Sequence, residues 1–380
     1  MLTHKILKKY PINNAPYLVQ SIDSNYNESY YSQKCWITSL GDFNNESDNL
    51  QNLCFSKLCT YTDSEELLSN NYPTEICKNL ERRQCFFSSD SYHNFIVWKK
   101  KNKIFVPEII DEKCWIFSFV NYKNFIILGL KNGIIQLRDA YNPKLIILTL
   151  QTDSKFNIYC LLMYKNFLIS SSDNILIWDI DTIISQYSNN IMDRKLKPNK
   201  KLQMDGKHVH VLLIVNETLI SVGSNFVVEL WDLNSYKKKK NFNFRELIFP
   251  KPVFREYITS GIIHYDNIIL VGNKKIVLLD KYSLELLQVI LFEFNVWEIC
   301  SYSNILLLST SLPDIVVVKF DFISNKYVYD CEDNISLINT FYNCNQCSAQ
   351  LLVLNNNLHV SIGDKIYVID INALKLMFKI

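Results

Sequence analysis

The sequence has 380 residues, of which 48% are hydrophobic and 21% charged, with a formal net charge of +2. This balance is typical of a globular protein and excludes a strong overall field that would attract nucleic acid or an acidic membrane. No apolar run reaches the roughly 18 residues of a membrane span, and no signal-peptide stretch follows the first residues. The 11 scattered cysteines favour free thiols, so we expect the protein in the cytoplasm, the nucleus or both.

The first 45 residues show no regular strand pattern. They contain Pro11 and Pro16, followed by a run rich in Asn, Ser and Tyr over residues 21–32. We therefore predict an irregular N-terminal extension over residues 1–45 and a second domain over residues 46–380. The extension either lies against that domain or serves as an arm that binds or localises a partner.

From residue 46 onward, the sequence repeats an alternating strand that ends in Trp-Asp or in a degenerate form of it. Residues 173–179 and 226–232 carry the complete unit. Taking the Trp position as the marker, the copies fall at Trp98, Arg138, Trp178, Trp231, Leu279, Lys319 and Ile369. The markers lie 40 to 53 residues apart, which is close to the length of a four-stranded propeller blade.

Further strands are predicted on both sides of each marker. Residues 158–163 and 167–170 precede one marker, separated by three residues, and such short Asn-containing connections predict hairpins. Because only 8 glycines are present, we expect Asn to serve many of these turns. A fourth strand is predicted after each marker, for example over residues 144–150, 284–290 and 374–380.

The Trp-Asp units and their spacing resemble the WD-repeat family over residues 85–380. The resemblance implies an all-β fold, a seven-bladed β-propeller. It also implies a hydrogen-bond network that joins a His before the first strand, a Ser or Thr in the second, an Asp in the next turn and the Trp. The candidates are His208, Ser221 and Trp231 with Asn225 in one repeat, and Ser170, Asp173 and Trp178 in the preceding repeat, which lacks the His.

The resemblance also bears on how the ring closes. Many family members borrow the last outer strand from the N-terminus. Here residues 374–380 supply that strand to the last repeat, so closure is expected to rest on packing between the first and last blades, unless an N-terminal strand joins by another route.

No pattern in the sequence predicts a catalytic, cofactor or metal site. The recurrent Asp139, Asp179, Asp232, Asp280 and Asp370 end strands in different repeats, too far apart to share a proton, so we predict that they cap turns. The single C-x-x-C, Cys344 to Cys347, lacks the second pair of ligands that zinc requires. We expect no catalytic residue, no metal and no cofactor, and we expect that the protein is not an enzyme.

Candidate partner contacts lie where the first strands of the repeats begin, on the face by which propellers usually bind. Equivalent positions are Phe117, Tyr159, His210, Ser260, Trp297 and Gln350, with Trp115 two residues further out. We predict partner contacts at Trp115, Tyr159, His210 and Trp297, because aromatic side chains dominate binding hot spots. Packing of the same rings inside the central channel is the alternative.

These patterns favour a non-catalytic protein–protein interaction scaffold within a multiprotein complex. Its short hairpins are similar to those of F-box/WD-repeat propellers, which gives the alternative of a substrate receptor in a cullin-type ubiquitin ligase, although no F-box pattern is seen. Basic runs at residues 99–103 and 237–240 give the alternative of RNA binding. Solvated turn charge explains those runs more simply, so nucleic acid and membranes are not expected partners.

Overall fold

A computed structural model describes the greater part of the chain. The described residues are 19–22, 36–40, 60–61, 85–89, 94–101, 104–111, 114–188, 196–205, 208–223, 226–244, 258–272, 274–310, 314–330, 334–336, 350–354, 357–362 and 365–370. Most of them lie in β-strands, and none of the described helices is long and apolar enough to cross a membrane.

The secondary-structure elements are mostly short strands. Those before residue 203 are β1 (Val19–Ile22), β2 (Trp36–Leu40), β3 (Thr60–Tyr61), β4 (Cys85–Ser89), β5 (Asn94–Lys101), β6 (Ile104–Asp111), β7 (Ile116–Tyr122), β8 (Phe125–Leu130), β9 (Ile134–Asp139), β10 (Ile146–Gln151), β11 (Cys160–Tyr164), β12 (Phe167–Ser171), β13 (Ile175–Asp179) and β14 (Lys200–Leu202). Helix α1 (Ile180–Ser188) follows β13, and a 3-10 turn, Lys131–Gly133, joins β8 to β9.

The remaining strands follow the same spacing. They are β15 (Val209–Val215), β16 (Thr218–Gly223), β17 (Val227–Asp232), β18 (Lys238–Asn243), β19 (Ser260–His264), β20 (Asn267–Gly272), β21 (Lys275–Asp280), β22 (Leu286–Leu291), β23 (Val296–Tyr302), β24 (Ile305–Thr310), β25 (Asp314–Asp321), β26 (Lys326–Tyr329), β27 (Ile335–Ser336), β28 (Gln350–Leu354), β29 (Asn357–Ile362) and β30 (Lys365–Asp370).

The chain divides into two compact units, and each is built from small sheets. One unit comprises Trp36–Gln51 and Ser56–Gln203. Its sheets have the strand orders β3-β2-β4-β5-β6, β10-β9-β8-β7 and β11-β12-β13-β14. The pairing is antiparallel except between β2 and β3, which run parallel.

The other unit comprises Met1–Cys35, Asn52–Phe55 and Met204–Ile380. Its sheets have the orders β15-β16-β17-β18, β19-β20-β21-β22, β23-β24-β25-β26 with β27 also paired to β25, and β1-β30-β29-β28. Each sequence marker lies on the third strand of its repeat, namely β5, β9, β13, β17, β21, β25 and β30. The total of seven blades remains a prediction, as does the domain boundary near residue 45.

Burial differs sharply between inner and outer strands. The second strands β8, β16, β20 and β24 are buried at nearly every position, because both of their faces pack against other sheets. Their sequences are accordingly rich in apolar residues, with runs such as Ile-Leu-Leu-Leu in β24, although β16 includes Ser221. The outer strands β10, β18 and β22 are half-exposed and mixed in polarity. No sheet of this kind can bury its own inner strand alone.

The hairpins between the first and second strands are tighter than the sequence indicated. From β7 onward each has two turn residues, and the first has a positive φ of 44° to 55° in five repeats, at Lys123, Lys165, Asn216, Tyr265 and Ser303. Asn lies in four of these five turns, as expected, at Asn124, Asn166, Asn216 and Asn304, but only Asn216 takes the position with positive φ. A side chain with positive φ costs about 1–3 kcal/mol, so strand pairing imposes these turns against local preference.

The strand pairing of the last repeat differs from the ring closure expected from the sequence. β30 pairs with β29 on one side and with β1 on the other, with Val19 opposite Ile369 and Ile22 opposite Ile366. The outer position of this sheet is therefore filled by the N-terminal strand, whereas residues 374–380, predicted to fill it, lie outside the described residues. β1 and β2 also show that residues 1–45 contain regular strands and are not an irregular extension throughout.

Removing β1 should therefore destabilise the fold. A variant that lacks residues 1–22 leaves the edge of β30 unpaired, and we expect its melting temperature to fall by several degrees relative to the full chain, measured by circular dichroism. A variant that lacks only residues 1–18 retains β1 and is the control. Equal melting temperatures for the two truncations would contradict the pairing.

A buried histidine ties three elements together in the larger unit. His264, at the end of β19, places Nε2 2.7 Å from the Ser303 carbonyl in the β23–β24 turn and Nδ1 2.6 Å from the Tyr327 hydroxyl of β26. A carbonyl only accepts, so Nε2–H donates to it and Nδ1 accepts from Tyr327. Burial lowers the pKa of His264, and the Ser303 carbonyl only partly opposes that effect.

Stability should consequently depend on pH through His264. The unfolded chain takes up this proton near the ordinary value of 6.5, whereas folded His264 takes it up only at lower pH. The free energy of unfolding should thus fall as pH is lowered from about 7.5 to 5.5. Chemical denaturation of the wild type and His264→Gln should show a steeper fall in the wild type, and parallel profiles would refute this role.

Candidate functional site

The two complete Trp-Asp repeats share a buried hydrogen bond. Trp178 Nε1 donates to Ser170 Oγ at 3.0 Å, and Trp231 Nε1 donates to Ser221 Oγ at 3.0 Å. All four side chains are at most 4% exposed. In both repeats the tryptophan lies opposite a leucine of the second strand, Leu168 or Leu219, and the serine lies two residues after that leucine. The two repeats therefore have the same geometry. The structure thus brings together the serine and tryptophan of each candidate network.

The other candidates for that network differ in placement. Asp173 lies in the β12–β13 turn, half-buried, and within the described part of the chain its carboxylate accepts no hydrogen bond. It is therefore not linked to Ser170 or Trp178. His208 precedes β15, half-buried, with a φ of 31°. Asn225 lies outside the described residues.

Met204 provides a contact that the sequence did not indicate. Its Sδ lies 3.3 Å from Ser221 Oγ, so a thioether fills the space next to the Ser221–Trp231 pair. Met204 is 8% exposed and follows the end of β14.

An ion pair with a buried carboxylate supports the same repeat. Glu229, fully buried on β17, accepts from Lys238 Nζ at 2.9 Å, and Asp205 accepts from the same ammonium at 2.7 Å. Burial favours a lower pKa for Lys238, but the two carboxylates outweigh it and raise the pKa. The ammonium also lies 4.9 Å from the centre of the Trp231 ring.

The second basic run is largely engaged in structural contacts. Besides Lys238, Lys239 pairs with Asp232 at 2.8 Å, and Lys240 lies 4.1 Å from the ring centre of Phe242. These lysines lie on or beside β18, where their charges have partners within the protein. This placement weighs against residues 237–240 as a nucleic-acid surface. Side chains of the other basic run, residues 99–103, are outside the described residues.

The recurrent aspartates cap turns, as the sequence predicted. In three repeats the aspartate Oδ1 accepts hydrogen bonds from two successive backbone N–H groups of the turn, at distances of 2.6 to 3.1 Å. These aspartates are Asp139, Asp232 and Asp280. Asp179 instead accepts from the backbone of Thr182 and caps helix α1. Donation from Ser283 lowers the pKa of Asp280. The side chain of Asp370 lies outside the described residues.

Neither metal-binding nor redox chemistry has support in the described residues. They contain no cluster of three or more His, Cys, Asp or Glu side chains placed to hold a metal. Cys114, Cys160 and Cys300 are free thiols, and burial raises the pKa of Cys300 well above its usual range. The pair Cys344 and Cys347 lies outside the described residues.

A β-bulge recurs at the candidate partner positions. The register of the first hairpin shifts at Phe117 in β7, at His210 in β15 and at Trp297 in β23. The bulged residue has no partner across the ladder, and bulges re-aim side chains next to binding sites. All three side chains are half-buried. The bulge is therefore a repeated device at the strand end where these residues lie.

In the smaller unit, three aromatic residues form a cluster at that end of the strands. Trp115 is 46% exposed, and its ring centre lies 6.0 Å from that of Phe117, which lies 5.9 Å from that of Tyr159. Burial raises the pKa of Tyr159. His210 and Trp297 occupy equivalent strand positions in the other unit. Counting residues back from the hairpins predicted that these residues lie where the first strands begin. No feature of the sequence indicated that Trp115 would be exposed.

A cavity of about 320 Å³ opens in the same unit. It lies among the connections between β10 and β11, between β12 and β13, and ahead of β14. Its polar lining combines hydroxyls with charged groups, chiefly Thr152, Ser154, Ser170, Ser172, Lys197 and Lys201. Ile158, which adjoins Tyr159 of the aromatic cluster, also lines it. Nothing in the sequence analysis predicted this cavity.

The Ser221–Trp231 hydrogen bond should have a measurable free energy. Ser221→Ala leaves a buried indole N–H without its acceptor, so we expect a loss of about 1–3 kcal/mol in the free energy of unfolding. Trp231→Phe and the double variant complete a double-mutant cycle in urea. The double variant should lose less than the two single losses combined, and strict additivity would show that the pair is not coupled.

Comparison with known proteins supports the fold. No protein-family model matches the sequence, and no curated protein matches it. Solved structures do match, each over 75% of this chain: a chain of the mitotic checkpoint complex (15% identity, TM-score 0.56, 85% of that chain), the WD40 propeller domain of Doa1 (13%, 0.55, 88%) and the WD40 repeats of RRP9 (11%, 0.56, 90%). At such identities the likeness concerns the fold alone, and the chain has the fold of a WD40-repeat β-propeller.

Proposed function

We propose that this protein is a non-catalytic protein–protein interaction scaffold that docks a partner on the aromatic cluster of Trp115, Phe117 and Tyr159. The observation that carries the proposal is the exposed indole of Trp115, which is backed by two further rings at a bulged strand start. A large aromatic side chain left 46% exposed offers apolar area that a partner can remove from water.

The cluster also suits binding by its rigidity. Phe117 and Tyr159 are half-buried and hold the inner side of the cluster, so Trp115 loses less side-chain freedom when a partner covers it. The Trp115 carbonyl accepts from the Lys131 backbone at 3.0 Å, which fixes the main chain beneath the indole. Preorganised aromatic anchors of this type dominate the free energy of protein association.

The polar groups of the repeats support a scaffold more than a catalyst. The recurrent aspartates are satisfied by turn backbone, and the buried Glu229 is paired with Lys238. Groups held in this way stabilise loops and strands. One of the similar chains comes from the mitotic checkpoint complex, a multiprotein assembly. By that analogy we propose a complex in the cytoplasm or nucleus as the setting.

Site-specific photo-crosslinking tests the proposal. A photoreactive phenylalanine analogue replaces Trp115 in one version of the full chain and Tyr282, which is 64% exposed on a different turn, in the control. In cells that express the protein, we expect discrete protein adducts from position 115 that mass spectrometry can identify. Adducts of equal pattern from both positions, or none from position 115, would contradict docking on the cluster.

The identity of the adduct also separates the alternatives. A cullin adaptor among the adducts would indicate the ubiquitin-ligase receptor, and RNA-dependent adducts lost after ribonuclease treatment would indicate an RNA-associated complex.

A further inference from the structure

The cavity in the smaller unit occupies a place that a side chain fills in the next repeat. Leu150 pairs with Ile135, and Leu202 pairs with Ile175. Ile135 and Ile175 each lie three residues before the marker of their repeat, so Leu150 and Leu202 are equivalent positions. Two residues further on, Thr152 therefore corresponds to Met204. Met204 reaches Ser221 Oγ at 3.3 Å, whereas the Thr152 hydroxyl lies close to Gly133 and accepts from the Ser154 backbone.

The shorter threonine leaves the neighbouring serine facing the cavity. Ser170, the equivalent of Ser221, lines the cavity and is 1% exposed. Its Oγ accepts from Trp178 at 3.0 Å, and its own proton has only the Leu176 carbonyl, at a long 3.5 Å. Since that bond is long, an acceptor at the buried end of the cavity can replace the Leu176 carbonyl as the partner of this proton.

Further donors surround that hydroxyl. Ser154 Oγ and Ser172 Oγ lie 2.8 Å apart, so one proton joins them and the other stays available. Lys197 and Lys201 are exposed on the lining, and within the described residues neither ammonium has an ion-pair partner. Donors thus exist both inside the cavity and on its exposed side, and a group that only accepts hydrogen bonds matches them.

The charge of the lining narrows the ligand class. Lys197 and Lys201 are formally balanced by Asp153 and Asp173, which also line the cavity. The lining therefore has no surplus positive charge to offset the charge of a phosphate, about −1.5 to −2 at neutral pH. A carboxylate carries a single charge, and the hydroxyl donors supply its hydrogen bonds. At about 320 Å³, the cavity stands at the lower end of the range for ligand sites, which suits one side chain better than a large cofactor.

We propose that this cavity binds the carboxylate side chain, Asp or Glu, of a partner protein. The occupant is assigned to a partner because Ile158 of the lining is adjacent in sequence to Tyr159 of the aromatic cluster, so a segment docked on the cluster passes beside the cavity. This inference rests on the proposed function and adds the chemistry by which the partner is recognised.

Peptide pools provide the test. The full chain is immobilised and exposed to three synthetic pools of equal length, with Glu, Gln or phosphoserine fixed at the centre and degenerate flanks that include aromatic residues. We expect about tenfold greater retention of the Glu pool than of the Gln pool, because a charge-assisted hydrogen bond replaces a neutral one. Equal retention of those two pools, or greater retention of the phosphoserine pool, overturns the proposal.

Variants connect the retention to the cavity. Thr152→Met copies the filling residue of the next repeat, and the double variant Lys197→Glu/Lys201→Glu reverses the exposed charge. Both should reduce retention of the Glu pool by about tenfold. The control Lys274→Glu/Lys326→Glu makes the same charge change at exposed lysines in the other unit and should retain the pool. If the control loses retention equally, net charge and not the cavity explains binding.

Two readouts keep the outcomes distinct. Thr152→Met should have a melting temperature equal to or above that of the wild type. If it does not fold, retention of the Glu pool by the Lys197→Glu/Lys201→Glu variant still tests the proposal. Glutarate at millimolar concentration tests a free carboxylate: stabilisation of the wild type without any preference for the Glu pool would overturn a partner side chain as occupant. Crosslinking from position 115 together with failure of the Glu pool would overturn this inference alone and leave the scaffold intact.

Discussion

The structure depends on the burial of the second strand of each sheet on both faces. β8, β16, β20 and β24 are rich in apolar residues and buried at nearly every position, and an isolated four-stranded sheet would leave half of that surface in water. Each sheet is therefore stable only against its neighbours, which is the rule for repeat architectures. Aspartates such as Asp280 cap the exposed turns, whereas the polar residues on inner strands, such as Ser221 and Glu229, are hydrogen-bonded within the protein.

Local pattern explains why much of this fold is readable in the sequence. The marker strands and the aspartate caps follow from alternation and turn chemistry within a few residues, so they could be predicted at Trp178, Trp231 and Asp280. The pairing of β1 with β30 could not, since it joins Val19 to Ile369 across almost the whole chain. A four-residue strand, Val-Gln-Ser-Ile, has too little apolar pattern to declare its partner.

The candidate site, too, was predictable only where it depends on local sequence. Counting from the hairpins located Tyr159, His210 and Trp297, because strand position is a local property. The bulges at His210 and Trp297 were not predictable, since a bulge arises when the register of two paired strands must accommodate twist. The exposure of Trp115 and the pairing of Lys238 with Glu229 depend on contacts between separate segments, and no spacing rule contains them.

The contrast between Thr152 and Met204 shows how equivalent repeats acquire different roles. Met204 fills the space beside its serine and thereby gains buried contacts, whereas an unfilled space next to Ser170 forgoes them, at a cost that grows with cavity volume. Binding sites commonly retain such local costs because filling them would remove function. The repeat with the cavity also adjoins the exposed aromatic cluster, so stability is given up where recognition is proposed. The next repeat in the sequence, with Met204 and the pair of buried Glu229 with Lys238, keeps the same strand register and contributes packing instead.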